Sequence, residues 1–337
     1  MCSRPRTPYG RSTAKGWPGN VGATRVVFLG GLGRSGSTVI ERVLGELPGY
    51  CAGGELTHLW QWGILDDERC GCGEAFSGCS FWAEVGRRAF GASGWSDAVA
   101  ARMLRLRAQV DRMRYLPQLM APTAAQVRAP ALAAYLDGYS ALYAAIADVS
   151  GARIVVDSSK HASMAFCLRH HGNDLDVRLV HLVRDSRGVA YSWTKEMVRP
   201  QASTANTMMT RYSPIRSALM WDADNTSLAI LGRLGTPRLL VRYEDFVADP
   251  RRQVHRITSF AGQPVDGADL DFLGTGHAQL TRQHTIAGNP MRFQTGRIDL
   301  RRDDAWRSRL PRRQQRVISA LTAPLLSRYG YPMRVAR

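Results

Sequence analysis

Four short apolar runs, rich in β-branched residues, punctuate the chain at 26–29, 154–156, 177–183 and 239–241. Runs of this length without polar alternation suit strands covered on both faces. Each is followed by helical periodicity. Val39, Ile40, Val43, Leu44 and Leu47 form one apolar stripe after the first run. Segments 162–171, 186–198 and 249–261 follow the other three. Strands alternating with helices predict a parallel sheet wrapped by helices. Between the first two runs, from about 97 to 150, lies an Ala-, Leu- and Arg-rich stretch with Leu132, Leu136, Tyr139, Tyr143 and Ile146 at helical spacing. It predicts a helical insertion, and 311–329 predicts a closing helix. There is no internal repeat and no linker after residue 25, so one domain is expected over 25–337. Residues 1–24, rich in Gly, Pro, Ser, Thr and Arg, read as a disordered basic tail.

Composition adds limits. Hydrophobic content of 45% and charged content of 22% are globular values. No apolar run approaches the roughly 20 residues that span a bilayer, and the first residues contain no secretory h-region. A cytoplasmic protein is therefore expected. The net charge of +17 sits at the ends: five basic groups and no acid in 1–25, twelve and three in 292–337. Such ends attract phosphates or an anionic membrane surface, which allows peripheral membrane contact. Since 42 of the 45 basic residues are Arg, codon bias in a GC-rich genome explains them equally well. No zinc-finger, RNP or helix-turn-helix signature is present, so no nucleic-acid partner is expected.

The first run leads into GGLGRSGST at 30–38. Gly31, Gly33 and Gly36 permit positive φ, and amides turned inward at a helix N-terminus cradle an anion. Thr38 with Glu41 fits a capping box. Gly31, Gly36 and Thr38 match Walker A spacing, but Ser37 stands where the lysine belongs and Arg34 is the loop's one charge. A loop with one Arg and several hydroxyls suits a less charged group than ATP. The third run ends in Arg184-Asp185-Ser186-Arg187, with Ser192 two helical turns on. Arg184 and Ser192 can grip one phosphate from two sides; on spacing alone, a sheet-edge Arg and a solvated Ser fit as well.

Together these residues resemble the sulfotransferases that use 3′-phosphoadenosine 5′-phosphosulfate (PAPS). The family's first signature corresponds to Gly33-Arg34-Ser35-Gly36-Ser37-Thr38. Its second corresponds to Arg184 through Ser192, with Ser186 in place of Pro, and its third to LLVRYED with Tyr243. The likeness spans roughly 25–330 and is greatest to the bacterial and the tyrosylprotein and carbohydrate branches. It implies a P-loop NTPase-like three-layer α/β fold with a central parallel sheet. It implies that Gly33 to Thr38 hold the 5′-phosphosulfate, that Arg184 and Ser192 hold the 3′-phosphate, and that Tyr243 touches adenine. Two departures stand out. Val39 replaces a tryptophan that stacks on adenine in the cytosolic branch, and Arg292 is the nearest match to that branch's Arg-Lys-Gly turn.

Sulfuryl transfer is an in-line displacement, with 3′,5′-adenosine bisphosphate (PAP) as the leaving product. It needs cations near the bridging oxygen and a base for the acceptor hydroxyl, and no metal. Arg34 and Lys160, the latter just after the second run, are the candidate cations. Glu55, after Gly53-Gly54, is the first candidate base, with His161 and His58 in reserve. The acceptor is expected to be a hydroxylated small molecule or lipid. Asp157 mimics a Walker B acid, the feature a P-loop kinase or NTPase would use; the missing lysine argues against that alternative. Cys70, Cys72 and Cys79 can bind zinc with Cys51 or His58, but C-x-C-x6-C lacks the usual C-x2-C pairs. Buried thiols without a metal are expected. Trp60, Trp62, Phe76, Phe81 and Trp82 read as an acceptor-pocket wall, or as a core beneath an irregular loop.

Overall fold

The computed structural model describes residues 23–121, 129–199 and 208–333. The expected tail therefore falls outside the described residues, apart from its last two. The four apolar runs form β1 (Thr24–Gly30), β3 (Ile154–Lys160), β4 (Leu175–Val183) and β5 (Arg238–Arg242). A fifth strand, β2 (Tyr50–Gly54, YCAGG), lies at the edge. The order is β2-β3-β1-β4-β5, all parallel.

Alternation along β1 divides two cores. Val26 and Phe28 pack with the helices Ala129–Ser150, Ala162–Leu168 and Pro214–Arg233. Val27 and Leu29 pack with Ser37–Leu44 and Pro250–Ala261. Both faces of the sheet are thus covered, which is why Val26–Leu29 of β1 and Ile154–Val156 of β3 are apolar on both sides. The expected insertion is a helix at Asp97–Val110, a short one at Leu116–Met120 and the long Ala129–Ser150. The expected closing helix is two: Arg312–Leu321 and Ala323–Arg328, broken at Thr322, where Pro324 lacks the amide that would continue the first. Among the described residues, no helix is long and apolar enough to cross a membrane.

A second sheet was not foreseen: β6 (Leu273–Gly274), β7 (His277–Leu280) and β8 (Gly296–Asp299), all antiparallel. The stretch between β7 and β8 runs along the helix Ser37–Leu44. The buried Arg42 guanidinium pins it there by donating to the carbonyls of Thr281 (2.8 Å), Met291 (2.9 Å) and Gln294 (2.5 Å). This strap reaches β2, where Glu55 N donates to Ile286 O (2.7 Å) and Ile286 N to Gly53 O (3.0 Å). A Cβ on Gly54, whose φ is +88°, would lie 2.1 Å from Ile286 O. Glycine at that position lets the strap touch the sheet, and β2 is poor in β-branched residues for the same reason.

Candidate active site

β1 and β4 are neighbours, but the chain leaves β1 toward β2 on one side and leaves β4 toward β5 on the other. Diverging connections open a crevice at the carboxyl ends of the strands. Residues 31–38, Glu55, Lys160, Arg184 and Tyr243 all sit there, each at or within a few residues of a strand end.

The loop after β1 takes the shape its glycines allow. Gly31 has φ +150° and a Cβ there would lie 2.4 Å from Leu182 O; Gly36 has φ +90° and a Cβ would strike the Tyr243 ring at 2.3 Å. Arg34 itself holds φ 76°, a left-handed conformation costly for a side-chain-bearing residue. Gly36 caps the helix Ser37–Leu44 without a side-chain bond. The expected Thr38–Glu41 capping box does not form, because Glu41 is drawn inward. Its carboxyl accepts from Gly54 N (2.6 Å) and Ser158 Oγ (2.7 Å), tying the loop helix to β2 and β3. Ser35 Oγ is buried and has no hydrogen-bond partner among the described residues. A buried, unpartnered hydroxyl in an anion-shaped loop fits a bound oxyanion.

Arg34 directs its guanidinium at the thioethers of Met197 (3.3 Å) and Met209 (3.4 Å), which are weak acceptors, and lies 5.1 Å from the Trp193 ring centroid. Burial lowers its pKa, and the nearby Glu55 opposes that shift. Arg184 is buried. It donates to Arg34 O (3.0 Å) and to Asp303 through both the carbonyl and Oδ2 (3.1 Å each), and stacks over Tyr243 at 4.9 Å. Lys195 also reaches Asp303 Oδ2 (3.2 Å). Two cations thus converge on one carboxylate beside the loop. Ser192 is buried on the helix Ser186–Thr194, which stops short of the expected 198. Tyr243 donates its hydroxyl to Arg301 O (3.0 Å).

On the other flank, Lys160 Nζ forms an ion pair with Glu55 Oε1. Lys160 has φ 69°, so the chain turns sharply as it leaves β3. His58 Nε2 lies 3.6 Å from Glu55 Oε2, and its ring stacks on Trp62 at 3.7 Å. His161 stands edge-on to His58 at 5.9 Å. Removal from water, then the neighbouring His161 and Arg107, hold His58 well below the usual imidazole range. Removal from water also lowers His161, against the pull of Asp111. Glu55, Lys160, His58 and His161 therefore form one cluster. A Cβ on Gly288 would stand 3.3 Å from Glu55 Oε1 and 3.7 Å from Thr38 Oγ1. The carboxylate and the loop hydroxyl thus border the same small space.

Several sequence expectations need correcting. Asp157 is no Walker B acid: its buried carboxyl accepts from Tyr143 Oη (2.6 Å), Ser159 N (2.8 Å) and Ser159 Oγ (2.5 Å). Burial raises it to about 6 against those bonds. Arg292 is buried, and its two terminal nitrogens donate to the carbonyls of Thr285 and Arg69, so the framework engages it. Trp60, Phe76 and Trp82 are core, not pocket wall; Trp60 donates to Tyr139 Oη (3.1 Å). Trp62 alone of that group meets the site, under His58 and Arg199. Two contributors were missed. Trp193 Nε1 donates to Gly33 O (3.0 Å), holding an aromatic face beside the loop where Val39 has none. The strap at 286–288 carries no motif, and only its pairing to Gly53 and Glu55 reveals it.

The Glu41 carboxyl has a measurable consequence. Burial raises it to about 8, against the pull of Ser158, Lys160 and Gly54 N. Between its ordinary value of 4.5 and about 8, the folded chain keeps a proton that the unfolded chain has released. Stability from this group is therefore full below that window and falls as pH rises through it, by up to about 1.4 kcal/mol per pH unit. Glu41→Gln flattens this slope, read as the urea midpoint from pH 5 to 8. An unchanged slope would refute the assignment.

The fold has known counterparts. The chain superposes on the sulfotransferase domain of the Synechococcus PCC 7002 olefin synthase with TM-score 0.51, at 23% identity, covering 94% of this chain and 98% of that one. For the sulfotransferase domain from the curacin biosynthetic pathway the TM-score is 0.51, at 14% identity, with 94% and 100% covered. The fold is thus the P-loop NTPase-like α/β arrangement of those domains. No curated protein matches by sequence. The sulfotransferase family model matches residues 26–267. That span takes in the loop, Glu55, Lys160, Arg184 and Tyr243, and the chain belongs to the sulfotransferase family.

Proposed function

We propose that this chain moves a sulfuryl group from PAPS to a hydroxyl of a small-molecule or glycolipid acceptor, by in-line displacement. The observation that carries the reading is the Glu55–Lys160 pair, facing Thr38 across the space at Gly288. It supports a base and a cation at the mouth of an anion loop.

Ser35, with its unpartnered hydroxyl, and Arg34, whose guanidinium meets thioethers, fit the charged 5′ end of the donor. Gly33, Gly36, Ser37 and Thr38 complete that cradle. Arg184 and Ser192 are assigned to the 3′-phosphate, and Tyr243 and Trp193 to the adenine. Arg292 is assigned no donor contact. When bound, the donor supplies an activated sulfuryl group on a weakly basic phosphate.

Glu55 takes the acceptor proton on its carboxylate, whose Oε1 borders the loop hydroxyl and pairs with Lys160. Lys160 orients that carboxylate and lends positive charge beside the loop. Arg34 does the same from the other side, so the reaction needs no metal. His58 packs against Glu55 and Trp62, and His161 against His58, as neutral rings that keep water from the carboxylate. A P-loop kinase has less support, with Ser37 at the lysine position and Asp157 turned to Tyr143.

Thermal unfolding tests the reading. At 100 times its dissociation constant, 3′,5′-adenosine bisphosphate adds about 2.7 kcal/mol of stability. ATP with Mg²⁺ gives no comparable shift. The reverse pattern would overturn the sulfotransfer reading in favour of the kinase.

A further inference from the structure

The loop before the helix Ser80–Phe90 folds around a cluster that the proposed transfer does not use. Cys70, Cys72, Cys79 and His284 bring one ligand atom each to within 4.8 Å of one another. Cys72 and Cys79 sulfurs are 3.8 Å apart; His284 Nδ1 is 3.2 Å from Cys79 Sγ and 3.8 Å from Cys70 Sγ. Sulfurs about 2.3 Å from a tetrahedral zinc lie about 3.8 Å from each other. The spacings match that geometry and are far longer than the ~2.05 Å of a disulfide. Neither Cys51 nor His58, the fourth ligands weighed from sequence, belongs to the cluster.

The surroundings are built for it. Cys70 N donates to Glu74 O (2.8 Å) and Gly73 N to Cys70 O (2.9 Å), closing a knuckle that turns Cys70 and Cys72 to one side. Gly73, at φ +99°, makes that turn. Gly71 N donates to Thr285 O (2.9 Å), and a Cβ on Gly71 would lie 2.5 Å from Gln283 O. Only glycine lets the knuckle come so close to the strap. Phe81 stacks on the His284 ring at 4.9 Å and fixes its plane. Cys79 is the N-cap of Ser80–Phe90, where the helix field favours a thiolate. Three thiolates, one neutral imidazole and Zn²⁺ carry one net negative charge. The buried Arg292 guanidinium lies beside Cys70, donating to the carbonyls of Arg69 and Thr285 on either side of the cluster. This supplies the compensating charge.

We infer that Cys70, Cys72, Cys79 and His284 bind a structural Zn²⁺, which staples the 69–79 knuckle to the strap carrying Ile286 and Gly288 and so fixes the backbone that holds Glu55. Four protein ligands close the tetrahedron and leave no position for substrate, which is the pattern of a structural site. On binding, the three thiols release their protons to solvent. The metal's reach to the active site is through backbone pairing: Gly71 to Thr285, then Ile286 to Gly53 and Glu55.

The test is metal content of the full chain, purified under reducing conditions without chelator. About one zinc per chain is expected, falling below about a tenth in a Cys70→Ser/Cys79→Ser variant and unchanged in Cys51→Ser. Exchange of the wild type into Co²⁺ should give thiolate-to-cobalt charge transfer and the intense visible bands of a tetrahedral site. Removing the metal should lower the unfolding temperature and expose the 69–79 and 281–288 segments to protease. If the double variant does not fold, the wild-type zinc and cobalt measurements still decide. A folded wild type without zinc or cobalt bands overturns the inference. So does iron in place of zinc, zinc retained by a folded double variant, or a disulfide among these cysteines in the reduced protein. None of these readouts depends on turnover, so the site stands or falls apart from the sulfotransfer reading.

Discussion

Glu55→Gln lowers kcat by about 10²–10⁴-fold while leaving the affinity for 3′,5′-adenosine bisphosphate nearly unchanged. The side chain keeps its length and its place on the strap-paired turn, where Glu55 N donates to Ile286 O. What it loses is the ability to accept a proton and the ion pair with Lys160. The cradle proposed for the bisphosphate does not include Glu55. Single-turnover rates, with bisphosphate binding measured in parallel, separate the two effects. His58→Gln and His161→Gln are the comparators. Their rings are held neutral by removal from water, so either is chemically able to act as a base. Glu55 is the stronger assignment because a cation orients it and because it borders the loop hydroxyl. If Glu55→Gln turns over within about tenfold of wild type and His58→Gln does not, the base is His58.

Arg184→Ala weakens bisphosphate binding by about 2–4 kcal/mol, or about 30- to 1,000-fold. The guanidinium is buried between Arg34 O, Asp303 and the Tyr243 ring, so it is largely shielded from screening water. Truncation removes a cation from the proposed 3′-phosphate site and leaves Asp303 with Lys195 as its remaining cation there. Burial pushes the Asp303 carboxyl up, but Arg184 and Lys195 outweigh it and hold it below the usual range, so it is charged at neutral pH. An uncovered carboxylate then repels the phosphate, adding to the loss. Arg184→Lys restores part of the affinity, since it returns the charge but not the fork. Calorimetric titration of the three proteins checks the ordering. Equal affinity in wild type and Arg184→Ala would remove Arg184 from the donor site.

The strands legible in the chain are those that packing on both faces makes apolar. β1, β3, β4 and β5 each contain one of the four β-branched runs. The edge strand β2 was missed, because YCAGG is shaped by the close approach of Ile286 rather than by burial of large side chains. The short strands β6 to β8 were missed because each spans four residues or fewer, too few to show a period. Motif residues fared according to how local their geometry is. The loop at 31–36, Arg184 and Tyr243 lie at strand ends, and strand ends of a parallel sheet point to one edge. Asp157 mimics a Walker B acid in the sequence because a polar residue at the end of an apolar run looks ligand-facing, while Tyr143 from the preceding helix turns it inward.

The amino-acid sequence by itself determined the parallel sheet, the anion loop after its first strand and the order of the cationic groups around it. Apolar runs, glycines with free φ and a helix start are local properties, read within a few residues. The tertiary structure alone decided what those groups face. It pairs Glu55 with Lys160, 105 positions apart in sequence, sets Trp193 against Gly33 of the loop, and turns Asp157 into framework. It brings His284 to three cysteines more than two hundred residues earlier in the chain. The His284 contact depends on a strap laid along the loop helix by Arg42 and across β2 by two backbone bonds. No periodicity encodes them, because a single close approach leaves no repeating pattern in the chain.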